Sequence, residues 1–204
     1  MIPMAEPLDP TTIANALRTA ALPRTVRCLG RVGSTMDVAR ELLGELGPSE
    51  LPLLVTAEEQ TAGRGRVGRR WEAPAGSALL LSLALRPTWL PPARGVALVW
   101  MLAVALCEAV EELTPLRARL KWPNDLLLPA TGGASHAKAA GILLEANLGA
   151  GRIEWAIRGC GVNVSAAPPA AQTRYPATSV AAAAGAPVDR TALLLALLRR
   201  LDAW

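Results

Sequence analysis

Residues 60–71 of the chain read Gln-Thr-Ala-Gly-Arg-Gly-Arg-Val-Gly-Arg-Arg-Trp, a run rich in both glycine and arginine. The three glycines, at positions 63, 65 and 68, let the backbone approach a ligand closely and turn its N–H groups inward. Four arginines stand within seven positions of the same run, which packing against a core does not explain. The run therefore predicts a loop that binds a phosphate, a carboxylate or a nucleic acid.

The spacing of this loop differs from that of the common nucleotide-binding loops, since it is neither GxxxxGK[ST] nor a GxGxxG that opens a helix. A mobile basic loop that touches RNA is the alternative interpretation. Trp71 follows the loop directly and is either an ordinary core residue or a platform on which a planar base stacks.

The segments on either side of the loop predict a β-sheet with helices packed on it. Helical spacing of apolar residues predicts helices at 10–22, with Thr11 or Thr12 as the N-cap, and at 34–46. A long core helix is predicted within 91–113, a last helix at 190–201, and strands at 26–32, 53–56, 78–85, 117–122, 126–128, 139–146 and 153–157. Because strands and helices alternate early and strands cluster late, the predicted fold class is α+β with a mixed sheet.

The bulk composition is that of a globular protein, with 51% hydrophobic and 19% charged residues. A net charge of +4 suits an anionic ligand but is too weak to indicate a nucleic-acid binder. The longest apolar run, from Gly95 to Cys107, is shorter than the ~20 residues of a membrane-spanning helix, and residues 1–10 carry no export signal. The three cysteines lack CxxC spacing. We therefore expect a soluble, cytoplasmic protein whose partners include neither a membrane nor a nucleic acid.

Only two of the 21 basic residues are lysines, Lys121 and Lys138. They are either chance survivors of a drift towards arginine or positions that require a compact ammonium group. Lys121 opens the run Lys-Trp-Pro-Asn-Asp, which brings a cation, an amide and a carboxylate to a strand-to-turn junction; a plain type I turn is the alternative. Lys138 begins an apolar strand that contains Gly141.

Two further motifs are weak when taken alone. Ser34 and Asp37 resemble a capping box at a helix N-terminus, where the hydroxyls of residues 34 and 35 can also meet polar ligand groups. The run Gly159-Cys-Gly-Val-Asn163 ends the predicted sheet with two glycines and an amide, although a glycine in a strand usually marks a bulge. A single histidine, His136 in a polar loop, and scattered cysteines predict no metal-ligand cluster.

Taken in chain order, these motifs resemble the catalytic domain of biotin protein ligases. The matching segments are GSTMDVAR at 33–40, AEEQTAGRGRVGRRW at 57–71, KWPNDLLL at 121–128, KAAGILLE at 138–145 and GCGVNV at 159–164. The resemblance covers residues 26–164, and the GRGR-x-GR-x-W and KWPND signatures in this order are specific together, whereas neither is specific alone.

The resemblance implies a mixed sheet flanked by helices, related to the catalytic domains of class II tRNA synthetases. Residues 1–204 would form one catalytic domain, with an N-terminal helix and lead-in at 1–25, a motif-bearing core at 26–164, and a loop and C-terminal helix at 165–204. It also implies an ATP-dependent ligase that makes biotinyl-5′-AMP and transfers biotin to a lysine of a biotin carboxyl carrier domain of acetyl-CoA carboxylase. ATP and biotin would be the substrates, with Mg²⁺ on the nucleotide side. Whether the enzyme is a homodimer stays open.

The resemblance assigns roles to positions that match the motifs. Biotin would be bound by Ser34, Thr35, Gln60, Gly63, Arg64, Arg66, Lys138, Gly141 and Gly159. The nucleotide would be bound by Arg66, Arg69, Trp71, Lys121, Asn124, Asp125 and Asn163. Arg64, Arg66 and Lys138 would be catalytic, because attack of a carboxylate on an α-phosphate brings two anions together and preorganised cations lower that barrier. Neither a protein nucleophile nor a protein metal site is implied.

The sequence departs from the family pattern at three places. Met36 stands where the family often has Asn, and residues 129–137 make a long connection between the KWPND run and Lys138. Only 33 residues precede Ser34, too few for the DNA-binding domain of repressor-type members, and the sequence ends at Trp204, where most members continue into an SH3-like barrel. We therefore expect a shortened member or part of a longer chain, one that forms the adenylate but transfers it poorly.

Two other functions compete with biotin ligation. A lipoate or octanoyl attachment enzyme shares the fold, but it should show a different lysine motif and no GRGR-x-GR loop. A biotin-binding pseudoenzyme would bind biotin without activating it.

Overall fold

A seven-stranded mixed sheet organises the computed structural model of the chain, which describes residues 6–18, 21–130, 135–173 and 175–204. The strands are β1 (Thr25–Val32), β2 (Leu53–Gln60), β3 (Ala78–Leu85), β4 (Arg119–Lys121), β5 (Asp125–Pro129), β6 (His136–Gly149) and β7 (Arg152–Asn163). Their order across the sheet is β1-β2-β3-β7-β6-β5-β4. Only β1 and β2 pair in parallel, and the other neighbours are antiparallel.

Helices cover both faces of this sheet. They are α1 (Pro10–Ala16), α2 (Thr35–Glu45), α3 (Ala97–Leu113), α4 (Val180–Ala184) and α5 (Arg190–Asp202), with short 3₁₀ turns at Pro48–Glu50, Pro92–Arg94 and Ala170–Gln172. Alternate residues of β2 divide between the two cores, since Leu53 and Val55 pack with α2 whereas Leu54 packs with α3 and α5. This alternation is the period of a strand buried on both faces, and the predicted α+β class with a mixed sheet is confirmed.

Helix α3 is the core helix that the sequence predicts within 91–113. The segment Pro92–Leu113, which contains α3, is 22 residues long and apolar enough to cross a membrane by length and composition. In the structure, however, Leu98, Leu102 and Leu106 are buried, and α3 packs against β6 and α5. Burial in a protein core therefore accounts for the hydrophobicity of this helix.

Several element boundaries differ from the predicted ones. The N-cap of α1 is Asp9, whose carboxylate accepts from the backbone N–H of Thr12, so the predicted caps Thr11 and Thr12 are wrong. The helix ends at Ala16, short of the predicted 22, and positions 19 and 20 lie outside the described residues. The proline at 23 disfavours helical geometry at position 22.

The strands that carry the site are longer than predicted, because backbone pairing continues past the apolar runs. Strand β2 continues to Gln60, which pairs with the last residue of β1. Strands β6 and β7 form one long hairpin whose turn contains Ala150 and Gly151 with positive φ angles of 48° and 73°. His136 begins β6 and is half-buried, so its predicted place in a solvated loop is wrong. Of the connection at 129–137, positions 131–134 lie outside the described residues.

Truncation of Leu102 to Ala should destabilise the fold strongly, because Leu102 has no exposed surface in the main core. We expect a loss of about 2–5 kcal/mol in the free energy of unfolding, measured by urea denaturation. Leu113→Ala makes the same change in the same helix at a side chain that is 38% exposed, and it should cost about 1 kcal/mol or less. Equal losses from the two substitutions would contradict the assigned packing of α3.

Candidate active site

A cavity of about 180 Å³ lies where the N-terminus of α2, the loop at 60–71 and strands β5, β6 and β7 meet. Most of the predicted site residues line it: Ser34, Thr35, Gln60, Arg64, Arg66, Arg69, Trp71, Asn124, Asp125, Lys138, Gly141 and Gly159. These residues come from five separate segments of the sequence, so the fold brings the motifs together.

The polar end of the cavity is built on the first turn of α2. Ser34 is the N-cap, and its hydroxyl accepts from the backbone N–H of Met36 at 3.3 Å. Gln60 Oε1 accepts from the backbone N–H of Thr35 at 2.7 Å and from its hydroxyl at 3.0 Å. The Thr35 hydroxyl also lies 2.8 Å from the hydroxyl of Ser82, a buried residue of β3 that the sequence did not single out. The hydroxyls and the amide are therefore held in fixed positions before any ligand arrives.

Another part of the cavity lining is shaped by glycines that leave room for large side chains. A Cβ on Gly161 would lie 2.7 Å from Trp71 Nε1, and a Cβ on Gly159 would lie 2.6 Å from the sulfur of Met36. A Cβ on Gly141 would lie 3.1 Å from Lys138 Nζ. Gly161 was not among the predicted ligand contacts, although it belongs to the same GCG run as Gly159. Gly161 is therefore required by the close approach of the rigid Trp71 ring, whereas at Gly159 and Gly141 the nearest atoms belong to the flexible Met36 and Lys138 side chains, which a Cβ would push aside.

The arginine-rich loop is closed as a tight hairpin. The N–H of Trp71 donates to the carbonyl of Gly63 at 2.9 Å, and that of Gly65 donates to the carbonyl of Arg69 at 2.7 Å. At the tip, Val67 and Gly68 have φ angles of 57° and 70°. A positive φ is unusual for a β-branched residue, and the Val67 side chain is 88% exposed. The tip therefore faces solvent, while the arginines on its flanks reach the cavity.

Each of the three predicted catalytic cations already has a polar partner. Arg64 makes a bidentate pair with Asp37 at 2.6 and 2.9 Å, and Lys138 Nζ lies 2.7 Å from Asp125 Oδ1. Arg66 Nη1 donates to the amide oxygen of a neutral residue, Asn124, at 3.0 Å. The Arg64 guanidinium holds the pKa of Asp37 below its usual value, with Arg40 contributing in the same direction. The pairs keep neighbouring cations in place against their mutual repulsion.

Trp71 connects the cations to the glycine wall. Lys138 Nζ lies 5.8 Å from the centre of the indole ring, within the range of a cation–π contact. Among the described residues, the buried indole N–H of Trp71 has no hydrogen-bond partner. The ring therefore stands at the junction of the charged and apolar parts of the cavity.

Three predicted contact residues lie outside the cavity lining. Gly63 lies in the stem of the loop hairpin, where a Cβ would collide with the carbonyl oxygen of Trp71. Lys121 is exposed, and its ammonium group lies 3.6 Å from the centre of the Tyr175 ring. Asn163 is buried and donates to the carbonyl of Thr178 at 3.1 Å. These three residues therefore do not line the cavity, and their ligand contacts stay predictions.

The lining favours chemistry on a bound anion over covalent catalysis. Burial raises the pKa of the Cys160 thiol to about 12, which keeps the thiol protonated and unreactive at neutral pH. Within the described ranges, no group of three or more His, Cys, Asp or Glu side chains could hold a metal ion. Cations, amides and an indole are what the cavity offers to a ligand.

Comparison with known proteins finds biotin protein ligases among the relatives. A family model described as the biotin/lipoate A/B protein ligase family matches residues 29–163. The bifunctional ligase/repressor BirA of Bacillus subtilis is 32% identical over 197 residues, which are 94% of this chain and 57% of the relative. The biotin–[acetyl-CoA-carboxylase] ligase of Paracoccus denitrificans is 38% identical over 181 residues, which are 86% of this chain and 71% of that relative. The chain thus spans a little over half the length of the Bacillus relative.

Solved structures agree with these matches. Biotin protein ligase from Leishmania major in complex with biotinyl-5-AMP superposes with a TM-score of 0.73 at 28% identity, covering 88% of this chain and 74% of that one. Biotin protein ligase from Aquifex aeolicus in complex with biotin and ATP gives a TM-score of 0.69 at 30% identity, covering 88% and 69%.

Substitution of Gly161 by Ala should displace the Trp71 indole, because the new methyl group would occupy the ring's place. We expect the part of the near-ultraviolet circular dichroism that belongs to Trp71, identified by its loss in Trp71→Phe, to change. Gly30→Ala is the matched control in a strand, since a Cβ there meets nothing within 4 Å. An unchanged Trp71 signal in Gly161→Ala would contradict this packing.

Proposed function

The chain belongs to the biotin/lipoate A/B protein ligase family, and we propose that it activates biotin with ATP and transfers the biotinyl group to a lysine of a carrier domain. The observation that carries the proposal is one cavity in which Arg66 and Lys138 lie beside the polar first turn of α2 and the Trp71 indole. Two anionic substrates, a carboxylate and a triphosphate, fit such a lining.

In the first step, an oxygen of the biotin carboxylate bonds to the α-phosphorus of ATP, the bond from that phosphorus to the bridging oxygen breaks, and pyrophosphate leaves. The barrier is largely electrostatic, because two anions approach one another. Arg66 and Lys138 are held in the cavity before the reaction begins, by Asn124 and Asp125, so their positive charges are already placed near the developing negative charge. No side chain has to act as a nucleophile.

In the second step, the neutral amine of the acceptor lysine attacks the acyl carbon of biotinyl-5′-AMP. An amide forms, AMP leaves, and the proton of the amine passes to solvent or to a nearby carboxylate. The name of the Paracoccus denitrificans relative supports a biotin carboxyl carrier domain of acetyl-CoA carboxylase as the acceptor.

The two ends of the cavity suit the two substrates. Ser34, Thr35 and Gln60 offer fixed donors and acceptors for the polar ureido ring of biotin, and Met36 packed on Gly159 offers an apolar wall. At the other end, the Trp71 indole suits an adenine ring. The amide of Asn124 lies beside that end. Lys121 and Asn163 stay predictions as nucleotide contacts.

Mg²⁺ fits the site only as a companion of the nucleotide. The cavity offers one carboxylate on the nucleotide side, Asp125, which pairs with Lys138. Mg²⁺ in such sites is bound by one or two carboxylates, water and the substrate phosphates. When bound, the ion would neutralise part of the triphosphate charge, with Asp125 as its protein ligand.

We place this activity in the cytoplasm, where ATP is available. The three cysteines, Cys28, Cys107 and Cys160, are free thiols, as is usual for a reducing compartment.

Radiolabelled biotin tests the proposal directly. With ATP, the protein should form labelled biotinyl-5′-AMP, and with a carrier domain present the label should appear in the acceptor. Excess lipoate or octanoate should not compete. Label taken from lipoate or octanoate but not from biotin would show the lipoate attachment function instead, while biotin binding without adenylate would show a pseudoenzyme.

Replacement of Lys138 by Arg should cripple adenylate formation although the charge is kept. The ammonium group lies 2.7 Å from Asp125 and would be 3.1 Å from a Cβ on Gly141, so a larger planar guanidinium does not fit. We expect biotin-dependent ATP–pyrophosphate exchange to fall by about 100-fold or more. Arg69→Lys also keeps the positive charge, at another position of the cavity lining, and should lower the exchange rate much less. Near wild-type exchange in Lys138→Arg would contradict the catalytic role assigned to Lys138.

The loop should resist trypsin only when both substrates are bound. Its exposed hairpin tip and clustered arginines leave it accessible in the free protein. Digestion should cut after Arg64, Arg66, Arg69 or Arg70, and biotin with ATP should protect these bonds. Unchanged cleavage with ligands would show that the loop does not close over them.

A further inference from the structure

Four charged side chains close a ring beside the cavity. Arg64 pairs with Asp37 through both terminal nitrogens and reaches Glu145 at 3.3 Å. Arg40 donates to Asp37 at 2.9 Å and to Glu145 through its other terminal nitrogen. The ring therefore runs Asp37, Arg64, Glu145, Arg40 and back to Asp37, with each carboxylate shared by both arginines.

The ring joins three elements that border the cavity. Asp37 and Arg40 lie on α2, Arg64 on the loop and Glu145 on β6. The base of the loop is bound to the rest of the fold, since the N–H of Ala62 donates to the carbonyl of Gly33 at 2.8 Å, whereas the backbone hydrogen bonds beyond Gly63 close the hairpin on itself. Beyond this base, Arg64 is the side chain that ties the loop to both α2 and β6.

The charges in the ring balance, with two cations and two carboxylates. Asp37 keeps its negative charge because its hydrogen bonds to Arg64 hold its pKa low, and the same contacts raise the pKa of Arg64. To bind a ligand anion, Arg64 would have to give up a bidentate carboxylate pair. Arg66 faces no such cost, because its partner Asn124 is neutral.

We propose that Arg64 is a positioning residue: through Asp37 and Glu145 it holds the loop over the cavity, and Arg66 supplies the loop's charge to the ligand. This inference rests on the proposed function and refines it, because the resemblance assigns both arginines to the ligand. It also gives Asp37, Arg40 and Glu145 a role in the reaction that their place outside the ligand contacts does not suggest.

A double-mutant cycle separates the two roles. Arg64→Gln should raise the KM values of pyrophosphate exchange by about 3- to 10-fold with a smaller effect on kcat, and Asp37→Asn with Glu145→Gln should do the same. When all three substitutions are combined, the KM should not exceed that of Arg64→Gln alone, or that of the Asp37→Asn, Glu145→Gln protein, by more than about 2-fold. Asp37→Glu keeps the carboxylate and should recover much of the wild-type KM.

Arg66→Gln is the matched control on the same loop. In the wild type it should mainly lower kcat, whereas Arg64→Gln should mainly raise KM, because Arg66 supplies charge to the ligand and Arg64 does not. If Arg64→Gln raises the KM by the same factor in the Asp37→Asn, Glu145→Gln protein as in the wild type, Arg64 contacts the ligand directly and the proposal is wrong.

Trypsin gives a readout that does not depend on enzymatic activity. In ligand-free Arg64→Gln, cleavage after Arg66, Arg69 and Arg70 should be several-fold faster than in the wild type, and Asp37→Asn with Glu145→Gln should accelerate it equally. Unchanged cleavage in both would overturn the anchoring role even if pyrophosphate exchange is normal. A wild-type protein that makes no adenylate but shows the accelerated cleavage would reject the proposed function and keep the anchor.

Discussion

The cations that surround the cavity must be held close together before any anion arrives, and this electrostatic constraint explains much of the local structure. Lys138 Nζ lies 2.7 Å from Asp125, and Arg64 forms a bidentate ion pair with Asp37. Each pair lowers the repulsion between neighbouring cations. In a partly buried site this repulsion is only weakly screened, so it decreases slowly with distance. The repulsion between the cations is therefore overcome during folding, so the cations are already in place to stabilise the bound anions during the reaction.

The sheet makes this arrangement possible by setting where large groups can approach its strands. Gly141 and Gly161 pair directly across β6 and β7, and both leave room for the Trp71 indole. The indole follows the arginine-rich loop immediately, so its position also fixes where the loop ends. Packing on the sheet and charge placement in the cavity are therefore coupled through one side chain.

The sequence predicted the parts of the site that depend on local chemistry. The α+β class, the core helix within 91–113 and the Ser34 N-cap are confirmed, because apolar periodicity and capping are local signals. The predicted capping box is wrong in its second half, because the Asp37 carboxylate pairs with Arg64 and Arg40 instead of the helix backbone. The hydroxyl of Ser82 and the ring formed by Glu145 were missed, because each depends on contacts between distant segments. The hydrogen bond from the Asn163 amide to the carbonyl of Thr178 was also missed, because spacing alone does not show this partner.

Calorimetric titration of biotin, followed by an ATP analogue whose α–β bridge cannot break, tests most directly whether one cavity receives a carboxylate and a triphosphate side by side. One biotin should bind per chain, and the analogue should bind the biotin-loaded protein at least as tightly as it binds the free protein. Mutually exclusive binding of the two ligands, or binding of the analogue without any binding of biotin, would contradict this arrangement.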